Sequence, residues 1–386
     1  MARVIIIVLD SLGIGALPDA HLFGDAESNT LAHILDAAPV ALPHLQQLGL
    51  GNLIRHSRLP AVDKPLAYVL RLATQSPAKD TLTGHWEMMG FPMAQPFATY
   101  PHGFPASVIE HLAELSGREI IGNIPASGTE IIRELGPEQR RTGALIVYTS
   151  ADSVLQIAAH EQVVPLAELY HICEQIHTFM LQSEHKVARV IARPFIGKYP
   201  HYQRTSNRRD FSASPGYTLL NRIVESGGEV LGVGKIADIF AGSGISSNQK
   251  TASNEAGIAA TLSLIKARGG SLVFTNLVDF DSLYGHRNDA RGYAHALQFF
   301  DQALPELMAA LAPDDLLIIT ADHGCDPTTP GSDHSREYVP GILYSPRLAG
   351  GYRLPDADSL CWIGHTTAVW LGLAPPACGK NILEGV

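Results

Sequence analysis

The chain has 386 residues, 46% hydrophobic and 17% charged, with a formal net charge of −10. That length exceeds what one small core organises and predicts two domains, one inserted in the other. The acidic balance excludes a general nucleic-acid or anionic-membrane surface, since both reward clustered cations, and leaves room for a small anionic ligand in a locally basic pocket.

The opening stretch MARVIIIVLD has one arginine and then six apolar residues ended by Asp10. It is too short to span a membrane and carries no signal-peptide cleavage region, so the expected location is cytoplasmic. It is also the first of several short, nearly continuous apolar runs that read as strands covered on both faces. GALIVYTS follows at 143–150, KVARVIARP at 186–194, SLVFTNLVDFD at 271–281 and DLLIITADHG at 315–324.

Helical stripes lie between them, at Leu169, Ile172, Cys173, Ile176 and Met180 and again at Leu297, Phe300, Leu304 and Leu307. The alternation predicts an α/β fold with a mainly parallel sheet. From about Met93 to Tyr217 the texture changes. A proline- and aromatic-rich stretch at 91–105 and an arginine- and loop-rich one at 193–217 read as the two crossings into an inserted cap. Cys173, Cys325, Cys361 and Cys378 show no pairing pattern and are expected to be reduced, forming neither a disulfide framework nor a zinc site.

Ligand sites in parallel α/β sheets gather at the carboxyl ends of strands. Three of the strand candidates end in acids: Asp10, then Asp279 and Asp281, then Asp322. Carboxylates brought together there would raise one another's pKa unless cations intervene. Histidines stand at short offsets: His286 after Asp281, His323 beside Asp322, and His334 in GSDHSRE. Imidazole mixed with carboxylate suits manganese, zinc or iron better than calcium or magnesium. Asp10, Asp281, His286, Asp322, His323 and His334 are therefore expected to fill two adjacent metal sites, completed by a hydroxyl or a phosphate.

Other motifs are weaker. Gly13 and Gly15 follow the first strand, but Pro18 stands where a dinucleotide loop needs its third glycine. Lys235 in GVGKIAD reads equally as a phosphate-facing point charge or as an exposed turn lysine. Arg204, Arg208 and Arg209 form a basic knot, solvated if on a free surface and a substrate clamp if the cap faces a phosphate site. Within KDTLTGHWEMMG (79–90), Thr81 and Thr83 both offer hydroxyls, and local sequence does not choose between them.

With VLDSLGIGALPDA, KDTLTGHWE, YTSADSVLQIAAHE, VGKIADI, NLVDFDSLYGHR and TADHGCDPTTPGSDHSRE in this order, the chain resembles the phosphopentomutases of the alkaline phosphatase superfamily. The resemblance covers about the first 345 residues. It implies an alkaline-phosphatase-like metal-binding core at 1–94 and 220–386, and a smaller α/β substrate-binding cap at 95–219. It implies two manganese ions, one held by Asp10, Asp322, His323 and Thr81 or its phosphate, the other by Asp281, His286 and His334. It further implies interconversion of ribose 1-phosphate and ribose 5-phosphate, and of the deoxyribose phosphates, through a phosphothreonine at Thr81 and a pentose bisphosphate, with glucose 1,6-bisphosphate as activator.

Ser150 and Asp152 match the family's sugar-contacting segment, and Arg189, Arg193, Arg204 and Arg208 are candidates for the distal phosphate. No nucleic acid, membrane or obligate protein partner is expected. One departure stands near the end. Family members commonly carry a phenylalanine, alanine, aspartate run before the last helix, and here LCWIGHTTAVWLG has Trp362 where the acid would be. The residues thus leave open a divergent paralogue acting on another phosphosugar, and a metal-dependent phosphatase or phosphodiesterase on the same scaffold.

Overall fold

The computed structural model of the chain describes residues 2–150 and 153–386. Its strands in chain order are β1 (Arg3–Leu9), β2 (Tyr68–Leu72), β3 (Ile120–Pro125), β4 (Leu145–Thr149), β5 (Val154–His160), β6 (Arg189–Lys198) and β7 (His201–Arg204). They continue with β8 (Arg209–Ser212), β9 (Val230–Val233), β10 (Ser247–Gln249), β11 (Leu272–Leu277), β12 (Asp315–Thr320) and β13 (Val339–Tyr344). The chain divides into two compact units, Met1–Gln95 with Ser214–Val386, and Pro96–Ala213.

In the first unit seven strands form one sheet in the order β10-β9-β11-β1-β12-β13-β2. The five strands from β10 to β12 run parallel, and β13 and β2 add an antiparallel edge. Every residue of β1, β11 and β12 is buried, as apolar runs covered on both faces require. The mixed α/β architecture expected from the alternating pattern is the one observed.

Register places the site. Val8 lies opposite Thr320, so Asp10 and Asp322, each two residues further on, leave their strands side by side. At the other end Arg3 pairs in register with Asp315, and its Nε donates to Asp315 Oδ1 at 3.0 Å. Both residues are buried. This ion pair pins β1 to β12, and a slip by one residue would turn every side chain to the wrong face.

The second unit is a six-stranded mixed sheet, β3-β4-β5-β6-β7 with β8 also on β6. The Leu166–Gln182 helix lays Leu169, Ile172, Cys173, Ile176 and Met180 into its core, the stripe read from the sequence.

The cysteine expectation is corrected. Cys361 and Cys378 form a disulfide with Cα atoms 5.7 Å apart, while Cys173 and Cys325 are free and buried. The pair is separated by 17 residues with no motif; only the return of the C-terminal segment onto the start of the Cys361–Trp370 helix brings the two thiols together. Trp362, in that helix, donates its Nε1–H to Asp358 at 2.9 Å, so the departure there stays within its own turn. Among the described residues no helix is long and apolar enough to cross a membrane.

Replacing Asp315 by Ala strips the buried Arg3 of its counter-charge. The expected cost is about 3–5 kcal/mol, read as a lowered midpoint in urea unfolding.

Candidate metal centre and its threonine

The three strand-end acids have two fates. Asp279 accepts the Asn254 backbone N–H at 2.6 Å and is absorbed by that helix start, so it belongs to the scaffold. Asp281 instead lies in a single π-helical turn, Phe280–Tyr284, which folds it back towards the ends of β1 and β12. Asp10, Asp281 and Asp322 are all buried. Ser11 takes a left-handed φ of 72°, a conformation costly for a residue with a side chain, and its N–H donates to Asp322 Oδ1 at 3.1 Å.

Two points of convergence result. At the first, His323 Nε2 lies 3.5 Å from Asp10 Oδ1, 3.2 Å from Asp322 Oδ2 and 3.1 Å from the Thr81 hydroxyl. At the second, His334 Nε2 lies 3.2 Å from Asp281 Oδ1 and His286 Nε2 lies 3.3 Å from Asp281 Oδ2. Among the described residues the groupings able to hold an ion are Asp281 with His286 and His334, and Asp10 with Asp281 and His323. Asp281 thus stands in both, where the resemblance assigned it to one.

The donor set fits cations. His286 Nδ1 donates to the Ser332 carbonyl at 2.6 Å and His323 Nδ1 to the Gly324 carbonyl at 3.0 Å, which orients each Nε2 into the cluster. The Nε2 atoms of His286 and His334 stand 3.1 Å apart. Asp10 Oδ1, Asp281 Oδ1 and Asp322 Oδ2 are buried without hydrogen-bond partners among the described residues. Unpaired carboxylate oxygens and facing imidazole nitrogens at this depth match positive charge between them.

The electrostatics agree. Burial, together with the charges of Asp322 and Asp281, pushes the Asp10 carboxyl well above the usual range. Burial pulls His323 down, but Asp322, Asp10 and Asp281 outweigh it and hold the ring at about 10. Burial likewise works to raise Asp281, but the close imidazoles of His286 and His334 overcome it and hold that carboxyl low. Without metal, protons stand in for the cations.

Thr81 opens the eight-residue Thr81–Met88 helix, and Asp80 caps it by accepting the Thr83 N–H at 3.1 Å. The Thr83 hydroxyl donates to Asp80 at 2.7 Å and is buried, whereas the Thr81 hydroxyl is half-buried and faces His323. Two features hold the helix against the candidate ligands. A Cβ on Gly84 would collide with the Asp322 carbonyl oxygen, so only glycine permits this approach.

Glu87, fully buried, accepts five hydrogen bonds: from Gln75 N and Ser76 N at 2.9 and 2.8 Å, from the Ser76 and Ser359 hydroxyls at 2.6 and 2.7 Å, and from Leu360 N at 3.0 Å. It ties the helix to the segment after β2 and to the start of the Cys361–Trp370 helix.

Sequence reasoning gave little weight to the residues behind the ligands. His85 is fully buried, with Nδ1 2.9 Å from the Thr81 carbonyl oxygen and 3.2 Å from Asp322 Oδ2. Asn276 donates to Asp10 Oδ2 at 2.9 Å. Asn276 sits beside Thr275 inside an otherwise apolar strand run, and a buried amide there was the available signal. Lys79 reaches Asp25 at 3.0 Å and Asp333 at 3.3 Å, tying the threonine loop to the segment before His334. Lys235 is exposed, and its charge acts on Asp10.

In the second unit, Arg193, Arg204 and Arg208 lie close enough to act together on the Tyr148 hydroxyl, which is buried and unpartnered among the described residues. Arg193 Nε donates to Gln156 at 3.0 Å. Arg208 forks onto Asp210 at 2.6 and 2.5 Å, and Arg189 stands 3.9 Å from the same carboxylate. Arg209 stacks on Tyr170 and Phe211 and so belongs to the packing. Ser150 follows β4, half-buried, and Asp152 lies outside the described residues.

Comparison with known proteins decides the family. The Metalloenzyme superfamily model matches residues 2–375. A phosphopentomutase of Caldanaerobacter subterraneus subsp. tengcongensis is 51% identical over 385 residues, covering 100% of this chain and 98% of that one. The chain belongs to the phosphopentomutase family. It is therefore an isomerase of the intramolecular phosphotransferase kind, in a superfamily that binds divalent metal. A phosphoglycerate mutase structure from Leishmania mexicana, at low cobalt concentration, is similar in fold with a TM-score of 0.50 at 12% identity, covering 98% of this chain and 97% of that one. A Pyrococcus horikoshii protein, PH0037, is similar at a TM-score of 0.46 and 13% identity over 92% of this chain and 93% of that one.

Gly84→Ala forces the threonine helix away from Asp322. It is expected to cost about 1–3 kcal/mol in stability and to weaken divalent-metal binding, measured by thermal unfolding and metal titration.

Proposed function

We propose that the enzyme interconverts α-D-ribose 1-phosphate and ribose 5-phosphate, and the matching deoxyribose phosphates, with Thr81 as the phosphoryl carrier. The observation that supports this reading most is the Thr81 hydroxyl, half-buried, first in its helix and 3.1 Å from His323 Nε2. Asp10, Asp322, His323 and Thr81 would hold one manganese ion and Asp281, His286 and His334 the other, with Asp281 near enough to the first group to serve both. Bound there, the cations would lower the pKa of the threonine hydroxyl and neutralise charge on the phosphoryl oxygens.

The remaining work falls to the chain. Phosphothreonine at the first position of a helix meets the free N–H groups and positive dipole end of that helix, which stabilise its charge. A sugar hydroxyl attacks the phosphorus, the bond to Thr81 Oγ1 breaks, and the hydroxyl proton passes to the departing threonine oxygen. The product is a pentose 1,5-bisphosphate. Thr81 then attacks the other phosphate by the reverse exchange and the isomeric monophosphate leaves. Arg189, Arg193, Arg204 and Arg208 would hold the phosphate not in transfer, with Ser150 and Asp152 on the sugar, and Lys235 adds positive charge beside Asp10. Glucose 1,6-bisphosphate would phosphorylate Thr81 at the outset. We read the location as cytoplasmic.

Priming with glucose 1,6-bisphosphate followed by intact-mass measurement and peptide mapping is expected to find one phosphoryl group on Thr81; a group on Thr83, or none, sinks the assignment. With manganese and ribose 5-phosphate the product is expected to be ribose 1-phosphate. Free ribose with inorganic phosphate would instead identify a phosphatase, and preferential turnover of another phosphosugar a divergent paralogue. Thr81→Ala is expected to lower turnover at least about a thousandfold, as loss of a covalent nucleophile does.

A further inference from the structure

A cavity of about 480 Å³ opens in the core unit, and none of the metal-cluster residues lines it. Its size falls within the usual span of small-molecule sites, about 300–1,000 Å³. Arg55, Arg71 and Arg353 all face it, and no acidic side chain is among its lining residues. In a chain of net charge −10, three guanidiniums on one cavity are a local reversal of sign.

Their charges are not cancelled within the fold. Arg71 and Arg353 share a single carboxylate, Asp356, which accepts from Arg71 Nε at 2.9 Å and from an Arg353 terminal nitrogen at 3.3 Å. Arg71 also lies 4.4 Å over the Tyr338 ring, which fixes the guanidinium at the wall. Arg55 is exposed and makes no hydrogen bond or ion pair among the described residues. Three cations against one carboxylate leave two positive charges.

The wall is built before any ligand arrives. Asn52 donates to the Val62 carbonyl at 2.8 Å and accepts the Val62 N–H at 3.0 Å, locking the loop that carries Arg55. A preformed site loses little affinity to ordering. One unopposed guanidinium and two that share a single carboxylate match a dianionic phosphate in net charge and in fork geometry.

We propose that this cavity is a second anion site, separate from the metal centre, that takes a small organic phosphate through contacts of its phosphate group with Arg55 and Arg353. The inference stands on the cavity alone and does not depend on the catalytic role of Thr81.

Equilibrium dialysis of the manganese-loaded enzyme with radiolabelled inorganic phosphate tests it. In the double variant Arg55→Ser/Arg353→Ser, one class of phosphate sites is expected to weaken at least about tenfold, the worth of one to two charge-assisted hydrogen bonds. Turnover of ribose 5-phosphate should stay within about twofold, the usual range for exposed substitutions away from a site. Asp356→Asn, which releases two guanidiniums, is expected to tighten the same class about threefold or more, a change of sign that loss of structure does not mimic. Phosphate binding unchanged in either variant overturns the proposal. So does a fall in turnover that tracks the loss of phosphate, because the cavity would then belong to catalysis.

Discussion

Three buried carboxylates at the ends of adjacent strands repel one another, and the rest of the structure is arranged around the cations that would resolve that repulsion. Asp10 and Asp322 are neighbours because β1 and β12 run parallel and in register. Asp281 joins them because β11 flanks β1 and continues into a π-helical turn. A fold that buries three acids within reach of three imidazoles stores an unfavourable energy when empty and a favourable one when metal is bound. Its stability and metal affinity are therefore linked.

The threonine helix depends on that cluster for its meaning. Its hydroxyl is an ordinary alcohol until it faces His323, and it faces His323 only because the helix lies against the Asp322 backbone. Gly84 permits the approach sterically, and Glu87 holds it through donors from two separate chain segments. Such convergence of backbone N–H and hydroxyl groups on one buried carboxylate is costly to form and rigid once formed, which suits a residue whose neighbour must be placed within tenths of an ångström.

The arginines of the two units are used differently. In the second unit they crowd round a buried tyrosine hydroxyl, some tied to Asp210 and others repelling one another. In the core, Arg3 and Arg336 are consumed by the fold: the first pairs with Asp315 and the second reaches Asp19 and the carbonyls of Thr74, Ser76 and Ala78. Against that background a cavity with an unpaired arginine and two that share one carboxylate stands apart.

Much of this was legible in the chain itself. Uninterrupted β-branched runs ending in aspartate define buried parallel strands and point acids at one end of a sheet, since strand length and burial are local properties of side chains. The six candidate ligands and the α/β class follow from that pattern, and the choice of Thr81 over Thr83 came from family resemblance. What periodicity could not reveal were relations between distant segments. Asp279 and Asp281 are two residues apart in sequence; only the turn that follows β11 decides that one caps a helix and the other enters the cluster. Glu87 and His85 look like routine polar positions until their partners arrive from 191 or more residues away, as with Ser359, Asn276 and Asp322. The Cys361–Cys378 bridge carries no motif and exists because the C-terminal segment packs back. Local chemistry determined which residues were able to act, and tertiary proximity, which depends on register and close backbone approach, decided which of them meet.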